Sequence, residues 1–353
     1  MSHSNNAISR KSILPFFTLV LLAIGICLPG ATLHANERSL LLNLSGSWKF
    51  SIGDNMEWLQ EEFDDAAWED IKVPSAWEDQ GYYGYDGYAW YRTTFVSGDK
   101  MKNKDLFLSL GYIGDVDQVY LNGKLIGFSG SFPPEFSSAL EAKRKYPVPE
   151  NYILPGKNVI AVRVYNHQLG GGIVSGDIGI VSYSGTKPDI SLFGLWNFKT
   201  GDNALWKVPT YQDKYWKKIV VPGNWENQGY KDYDGIGWYR KQVFITNEYS
   251  GQRMVLLLGR MTDSDQVFLN GVLIGSTGDF TAGKNKQIVE EVSKKVRVYI
   301  IPDNILLVNK INVIAVRVYD KKDRGGIAEG PVGLMRYVSY TRFAKELNDE
   351  SEN

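Results

Sequence analysis

The sequence predicts an all-β fold of two tandem antiparallel β-sandwiches. Three observations carry it: the chain repeats itself once, it is built of short alternating strands, and Asn-Gly turns recur at matching places. The repeat is plainest in tryptophan. Trp48, Trp58, Trp68, Trp77 and Trp90 recur as Trp196, Trp206, Trp216, Trp225 and Trp238, a constant offset of 148 residues that uses all 10 tryptophans. Between 46–127 and 194–275, about 36 of 82 positions are identical. Further on the offset becomes 154, where 158–165 and 312–319 both read NVIAVRVY. Two long copies mean two domains; a solenoid repeats every 20–50 residues or so.

Taken in order, the first segment reads as a targeting signal. Arg10 and Lys11 precede an apolar run over 13–28, shorter than the roughly 20 residues a spanning helix needs. Small Ala35 then offers a cleavage position, so 1–35 is expected to be a secretory signal peptide cut before Asn36. An uncleaved anchor is the alternative. Bulky Ile26 argues against a lipoprotein built on Cys27. Cleavage would remove the single cysteine, leaving no disulfide, thiolate nucleophile or Cys-based metal site. It would move the net charge from −1 to −3 through loss of Arg10 and Lys11. Such a chain has no membrane span and no basic surface for nucleic acid. A secreted or periplasmic bacterial protein is the expected setting.

The first sandwich is assigned to 36–184. Within it, 117–127 forms two alternating runs around Asn122-Gly123, and the second copy repeats them around Asn270-Gly271. Asn-Gly suits a type I′ hairpin, whose two central residues both need positive φ. The alternation of 159–165 and 313–319 predicts another strand in each copy. Short helices are expected at 137–145 and 286–295. The polar, Gly- and Pro-containing stretch 184–189 reads as a linker, 190–340 as the second sandwich, and 341–353 as a frayed polar tail.

Enzyme motifs are scarce. The chain has no G-x-S-x-G elbow. The one histidine beyond the signal, His167, sits in a Gly-rich stretch and reads as a loop residue. The segment 278–284 approaches a phosphate loop but is followed by Asn285 where Ser or Thr is needed. Without His or Cys clusters, no metal and no cofactor is expected. A glycosidase needs two carboxylates roughly 5–9.5 Å apart. Acids present in both copies are Asp54/Asp202, Asp65/Asp213, Glu78/Glu226, Asp86/Asp234, Asp115/Asp263 and Asp117/Asp265. Asp115 and Asp117 flank a strand start and could point the same way. Asp at strand starts and turns accepts backbone hydrogen bonds, which alone would keep it in both copies. No catalytic residue is assigned.

The richest segment is 77–92, matched by 225–240. Gly and Asp make a loop there, while Trp and Tyr supply flat, amphipathic faces on which sugar rings stack as Asp, Asn and Arg take hydroxyls. Residues shared by both copies read as scaffold: Trp77, Trp90 and Arg92 with Trp225, Trp238 and Arg240, and the turns Asn122-Gly123 and Asn270-Gly271. Arg92 is expected to be buried against a carboxylate such as Asp86. Ligand candidates are Tyr82, Tyr83, Tyr85, Asp86 and Tyr88, and in the second copy Tyr230, Lys231, Tyr233 and Asp234. Positions that differ between copies are the better ones, Tyr83 and Tyr88 against Lys231 and Ile236. The loop 80–88 and the stretch 170–177 are expected at one rim, with Tyr83, Tyr85, Asp86 and Tyr88 partly exposed.

These residues also carry a resemblance. V-P-x-x-W-E-x-Q-G-Y-x-x-Y-D-G-x-x-W-Y-R, then D-x-D-Q-V-x-L-N-G-x-L-I-G, then NVIAVRVY with a following Gly-Gly-Ile, is similar to the sugar-binding jelly-roll domain of glycoside hydrolase family 2. It also resembles the β-galactosidase-like insert of bacterial sialate O-acetylesterases and some extracellular sensor domains. The resemblance implies two tandem galactose-binding-like jelly rolls over nearly the whole chain after residue 35. In that family the catalytic glutamates lie on a (β/α)8 barrel of about 250 residues, for which two such domains leave no room. The implied function is a secreted, non-catalytic module binding an oligo- or polysaccharide, with a carbohydrate-active enzyme as possible partner. The alternatives are a divergent family 2-like or acetylesterase-associated hydrolase, and an extracellular sensor or interaction module.

Overall fold

A computed structural model describes residues 38–183, 187–278, 280, 295–322 and 324–349. The expected signal with Cys27, most of the near-phosphate loop, the 286–294 helix and linker residues 184–186 lie outside the described residues. Each copy builds two antiparallel sheets. In the first, the six-stranded sheet has the order β3 (Glu69–Val73), β2 (Gly46–Ile52), β4 (Gly87–Val96), β9 (Lys157–Asn166), β6 (Val116–Leu121), β7 (Lys124–Ser129). The four-stranded sheet runs β1 (Arg38–Asn43), β10 (Gly172–Tyr183), β5 (Leu106–Gly114), β8 (Lys143–Val148). The second copy repeats both orders: β13 (Lys217–Val221), β12 (Gly194–Thr200), β14 (Gly235–Ile245), β19 (Lys310–Asp320), β16 (Ser264–Leu269), β17 (Val272–Thr277), and β11 (Ile190–Ser191), β20 (Ile327–Arg336), β15 (Met254–Met261), β18 (Val296–Ile300).

This corrects the expected pair of tandem jelly-roll, galactose-binding-like sandwiches. A jelly roll takes eight strands in two Greek keys. Among the described residues each copy has ten strands divided six and four, and the four sheets belong to one compact unit. The copies are fused by contacts across their boundary. The Gly130 amide donates to the Asn227 carbonyl at 2.7 Å, and the Phe107 and Phe193 rings lie 5.4 Å apart. All-β, antiparallel construction stands.

The alternation of NVIAVRVY decides which way β9 faces. Ile160, Val162 and Val164 point into the first core with Trp48, Phe50, Leu108, Leu110 and Ile178, while Arg163 and Tyr165 point outward. Asn122 and Gly123 sit between β6 and β7 at φ 49° and 72°, and Asn270 and Gly271 sit between β16 and β17 at 52° and 84°. Asn122 also fastens β9: its Nδ2 donates to Asn158 Oδ1 at 2.8 Å, and its Oδ1 accepts from Val159 N at 2.8 Å. The helix expected at 137–145 is corrected: Ser137 bridges back to Ser131, and 143–148 is strand β8, with Arg144 drawn into the core by Asp117. The tail expected to fray from 341 continues helix α1 (Tyr337–Asp349).

Candidate functional site

The rim of the first copy is a loop bolted at several points. Gly81, at φ 107°, ends a short turn over Glu78–Gln80 and reverses the chain. The Trp77 indole donates to Tyr85 O at 3.1 Å, and the Tyr85 hydroxyl donates to Tyr88 O at 2.7 Å. Gln80 accepts from Lys72 N at 2.6 Å and donates to Lys72 O at 3.0 Å. The Glu78 carboxylate takes the Gly171 amide at 3.0 and 3.1 Å, and Trp77 N donates to Gly171 O at 3.1 Å. A Cβ on Gly171 would stand 2.2 Å from the Trp77 ring, so only glycine allows this approach. The loop 80–88 and the Gly-rich stretch after β9 therefore share one rim.

On that rim Tyr83 is 83% exposed and Asp86 is exposed. Tyr82, Tyr85 and Tyr88 are half-buried. Tyr82 packs edge-on to Phe50 and donates to Glu69 at 2.7 Å; burial first, and Glu69 second, push its hydroxyl pKa up to about 12. With Tyr85 against Trp77, both rings belong largely to the scaffold. The second copy behaves alike. Tyr230 packs on Phe198 and Tyr233 on Trp225, while Lys231 and Asp234 are exposed.

The shared residues are placed by buried bonds. Arg92 gives Nε to Asp65 at 2.7 Å and its remaining nitrogens to the carbonyls of Trp58, Gln60 and Phe63. Asp65, not Asp86, is thus its partner, because the 53–65 segment folds over the outer face of β4. Arg240 repeats the arrangement with Asp213 at 2.7 Å. Trp90 and Trp238 donate to Asp54 and Asp202, each at 3.0 Å. Asp115 and Asp117 do not converge: Asp115 accepts from His167 N and Ser138 Oγ, whereas Asp117 is sealed against Arg144 and Tyr146. His167 is exposed in its loop. Among the described residues no three His, Cys, Asp or Glu side chains are grouped to hold a metal, and no helix is long and apolar enough to cross a membrane.

Sequence reasoning missed a shelf beside the rim, on the outward side of β4 and β9. Tyr88 lies nearly parallel to Phe132, 8° between planes and 5.8 Å between centroids. Tyr165 stands 4.8 Å from Tyr88, and Phe136 bridges Tyr165 to His167 at 5.7 and 5.2 Å. Arg163 lies under this surface, 4.8 Å from the Tyr88 centroid and 4.3 Å from that of Phe132. Asp54 clamps it through Nε at 2.7 Å and Nη2 at 2.5 Å, and Gln118 takes Nη1 at 3.2 Å. Burial opposes charge on Asp54, but the bonds from Arg163 and Trp90 outweigh it and hold the carboxyl below its usual pKa. The signal was present: the strand period puts Tyr88, Arg163 and Tyr165 on one face. In the second copy Arg317, Tyr319 and Phe280 recur, but Ile236 replaces Tyr88.

Residues 53–170, which hold both rim loop and shelf, match the family model of the β-galactosidase second all-β domain. A β-galactosidase of Clostridium acetobutylicum is 28% identical over 203 residues, covering 48% of this chain and 21% of that protein. A β-glucuronidase of Streptococcus agalactiae is 28% identical over 130 residues, covering 34% of this chain and 20% of its own. The chain spans between 12 and 22% of the length of the curated relatives it matches. The crystal structure of a Bacteroides uniformis β-glucuronidase aligns at 16% identity and a TM-score of 0.36, over 84% of this chain and 28% of that one.

Proposed function

We propose that this chain is an exported, non-catalytic carbohydrate-binding module that works beside a glycan-degrading enzyme. The observation that carries the reading is the rim of the first copy, where exposed Tyr83 shares a loop with Tyr88, part of a shelf of half-buried aromatic rings fixed from below by a pinned guanidinium. Rigid aromatic faces with a few polar groups at their edge bind with little ordering cost. The similarity to an accessory domain of β-galactosidases supports the class of ligand, and the apolar run over 13–28 supports export. The second copy, with Lys231 and Ile236 at the matching places, is the weaker binder. A glycan array with the chain from Asn36 onward, run beside glycosidase and esterase assays, tests this. Binding without turnover is expected. Turnover would replace the reading with the hydrolase, and silence in both would leave an interaction module.

A further inference from the structure

Resting on that reading, we propose that the first-copy shelf takes an uncharged glycan and rejects uronic and other anionic sugars. The relatives include both β-galactosidases and β-glucuronidases, so their names leave the charge of the sugar open. The side chains do not. An anionic sugar is held by a basic fork or a converging set of N–H donors at its carboxylate. The guanidinium at this shelf, Arg163, has its fork closed on Asp54, a further N–H on Gln118, and its faces under Tyr88 and Phe132. Only 15% of its side chain reaches solvent. Three of its five N–H donors are thus engaged, and a second carboxylate would have to reach it beneath the two rings and share it with Asp54.

The carboxylates along the edge favour the same ligand. Asp86 is exposed and can only accept hydrogen bonds, which suits hydroxyl donors and repels a carboxylate. Glu78 and Asp115 add negative charge behind the rim while binding backbone amides. Exposed His167, with its ring against Phe136, adds a basic group to this edge. The surface therefore offers faces for the C–H side of a sugar ring and acceptors for its hydroxyls, while its guanidinium is already committed to Asp54 and Gln118.

The test is isothermal titration of the chain from Asn36 onward with sugars of one anomer that differ only at C6: methyl galactoside against methyl galacturonide, and methyl glucoside against methyl glucuronide. The neutral member of a pair is expected to bind at least tenfold tighter. Asp86→Asn should raise the affinity for the acidic member several-fold, and Tyr88→Ala should weaken the neutral one about tenfold. An acidic sugar that binds as tightly as its neutral partner, and is lost in Tyr88→Ala, would overturn the charge inference and keep the carbohydrate-binding reading. Affinity for the neutral sugar that survives both Tyr83→Ala and Tyr88→Ala would instead overturn the site itself.

Discussion

The two copies are alike where the chain must hold itself together and unlike where it meets solvent. Trp48 and Trp196 each donate to a carbonyl four residues back at 2.8 Å. Asn122 and Asn270 each reach the asparagine that opens the long strand, at 2.8 and 2.7 Å. Buried Arg144–Asp117 and Arg297–Asp265 pairs both measure 2.8 Å. At the rim and shelf the correspondence is partial. Tyr83, Tyr88, Asn166 and His167 become Lys231, Ile236, Asp320 and Lys321. The contrast teaches that the bonds holding each copy together are kept, while the proposed site combines kept residues such as Arg163 with drifted ones such as Tyr83 and Tyr88.

The largest expected effect tests the shared part. Arg144 is fully buried and bonds to Asp117, Asp115 O and two further carbonyls. Arg144→Met leaves the Asp117 charge sealed without its partner, so a loss of about 3–5 kcal/mol is expected in chemical denaturation. Arg92→Leu and Arg240→Leu sharpen the comparison. The Asp213 side chain is 10% exposed against 28% for Asp65, so the second copy should lose more. Equal, small losses would show that these arginines do not hold the fold.

Next comes the divergent position inside the rim. Asp320 is sealed where the first copy has neutral Asn166. Burial foremost, then Asp263, with Glu226 and Asp234 behind it, raises its pKa to about 7. Its pKa in the unfolded chain is about 3.9. The folded chain then holds the proton more tightly, so this stabilisation is full below about pH 4 and is lost as pH rises towards 7. Asp320→Asn should flatten that slope and add roughly 1–2 kcal/mol at pH 8, allowing for partial screening. Thermal melts across pH 4–8 measure it, and an unchanged slope would refute the assignment.

The smallest stability effects belong to the candidate site. Tyr88→Ala removes a ring packed on Phe132 and over Arg163, and should cost on the order of 1 kcal/mol while weakening sugar binding. Tyr83→Ala should leave the melting temperature unchanged and still reduce affinity. Lys231→Ala in the second copy should alter neither. If Lys231→Ala weakens binding more than Tyr83→Ala, the copies have been ranked in the wrong order.

Much of the local structure was legible because it depends on short-range rules. Alternation, Asn-Gly turns and the repeat located strands β6, β7 and β9 and their counterparts, while the start of β4 reads as part of a loop. The six-and-four division and the fusion of the copies were not legible, since they depend on contacts between distant segments such as Phe107 with Phe193. The helix expected at 137–145 failed because the pull of Asp117 on Arg144 overrides local propensity. Of the proposed site, the exposure of Tyr83 and Asp86 was legible from the turn residues around them. The shelf was missed because Phe132 and Phe136 come from a loop with no periodicity, and only the fold brings them to Tyr165.

The bond from the Gly130 amide to Asn227 lies at the boundary of the copies, outside either ladder. That amide is shielded only while the halves stay joined. Its deuterium uptake is therefore a clock for their parting, separate from the slower exchange of β9 or β19 deep in the two cores. If the fused unit comes apart before it unfolds, Gly130 will exchange early while both long strands remain protected. If the unit melts as one body, all three will exchange together.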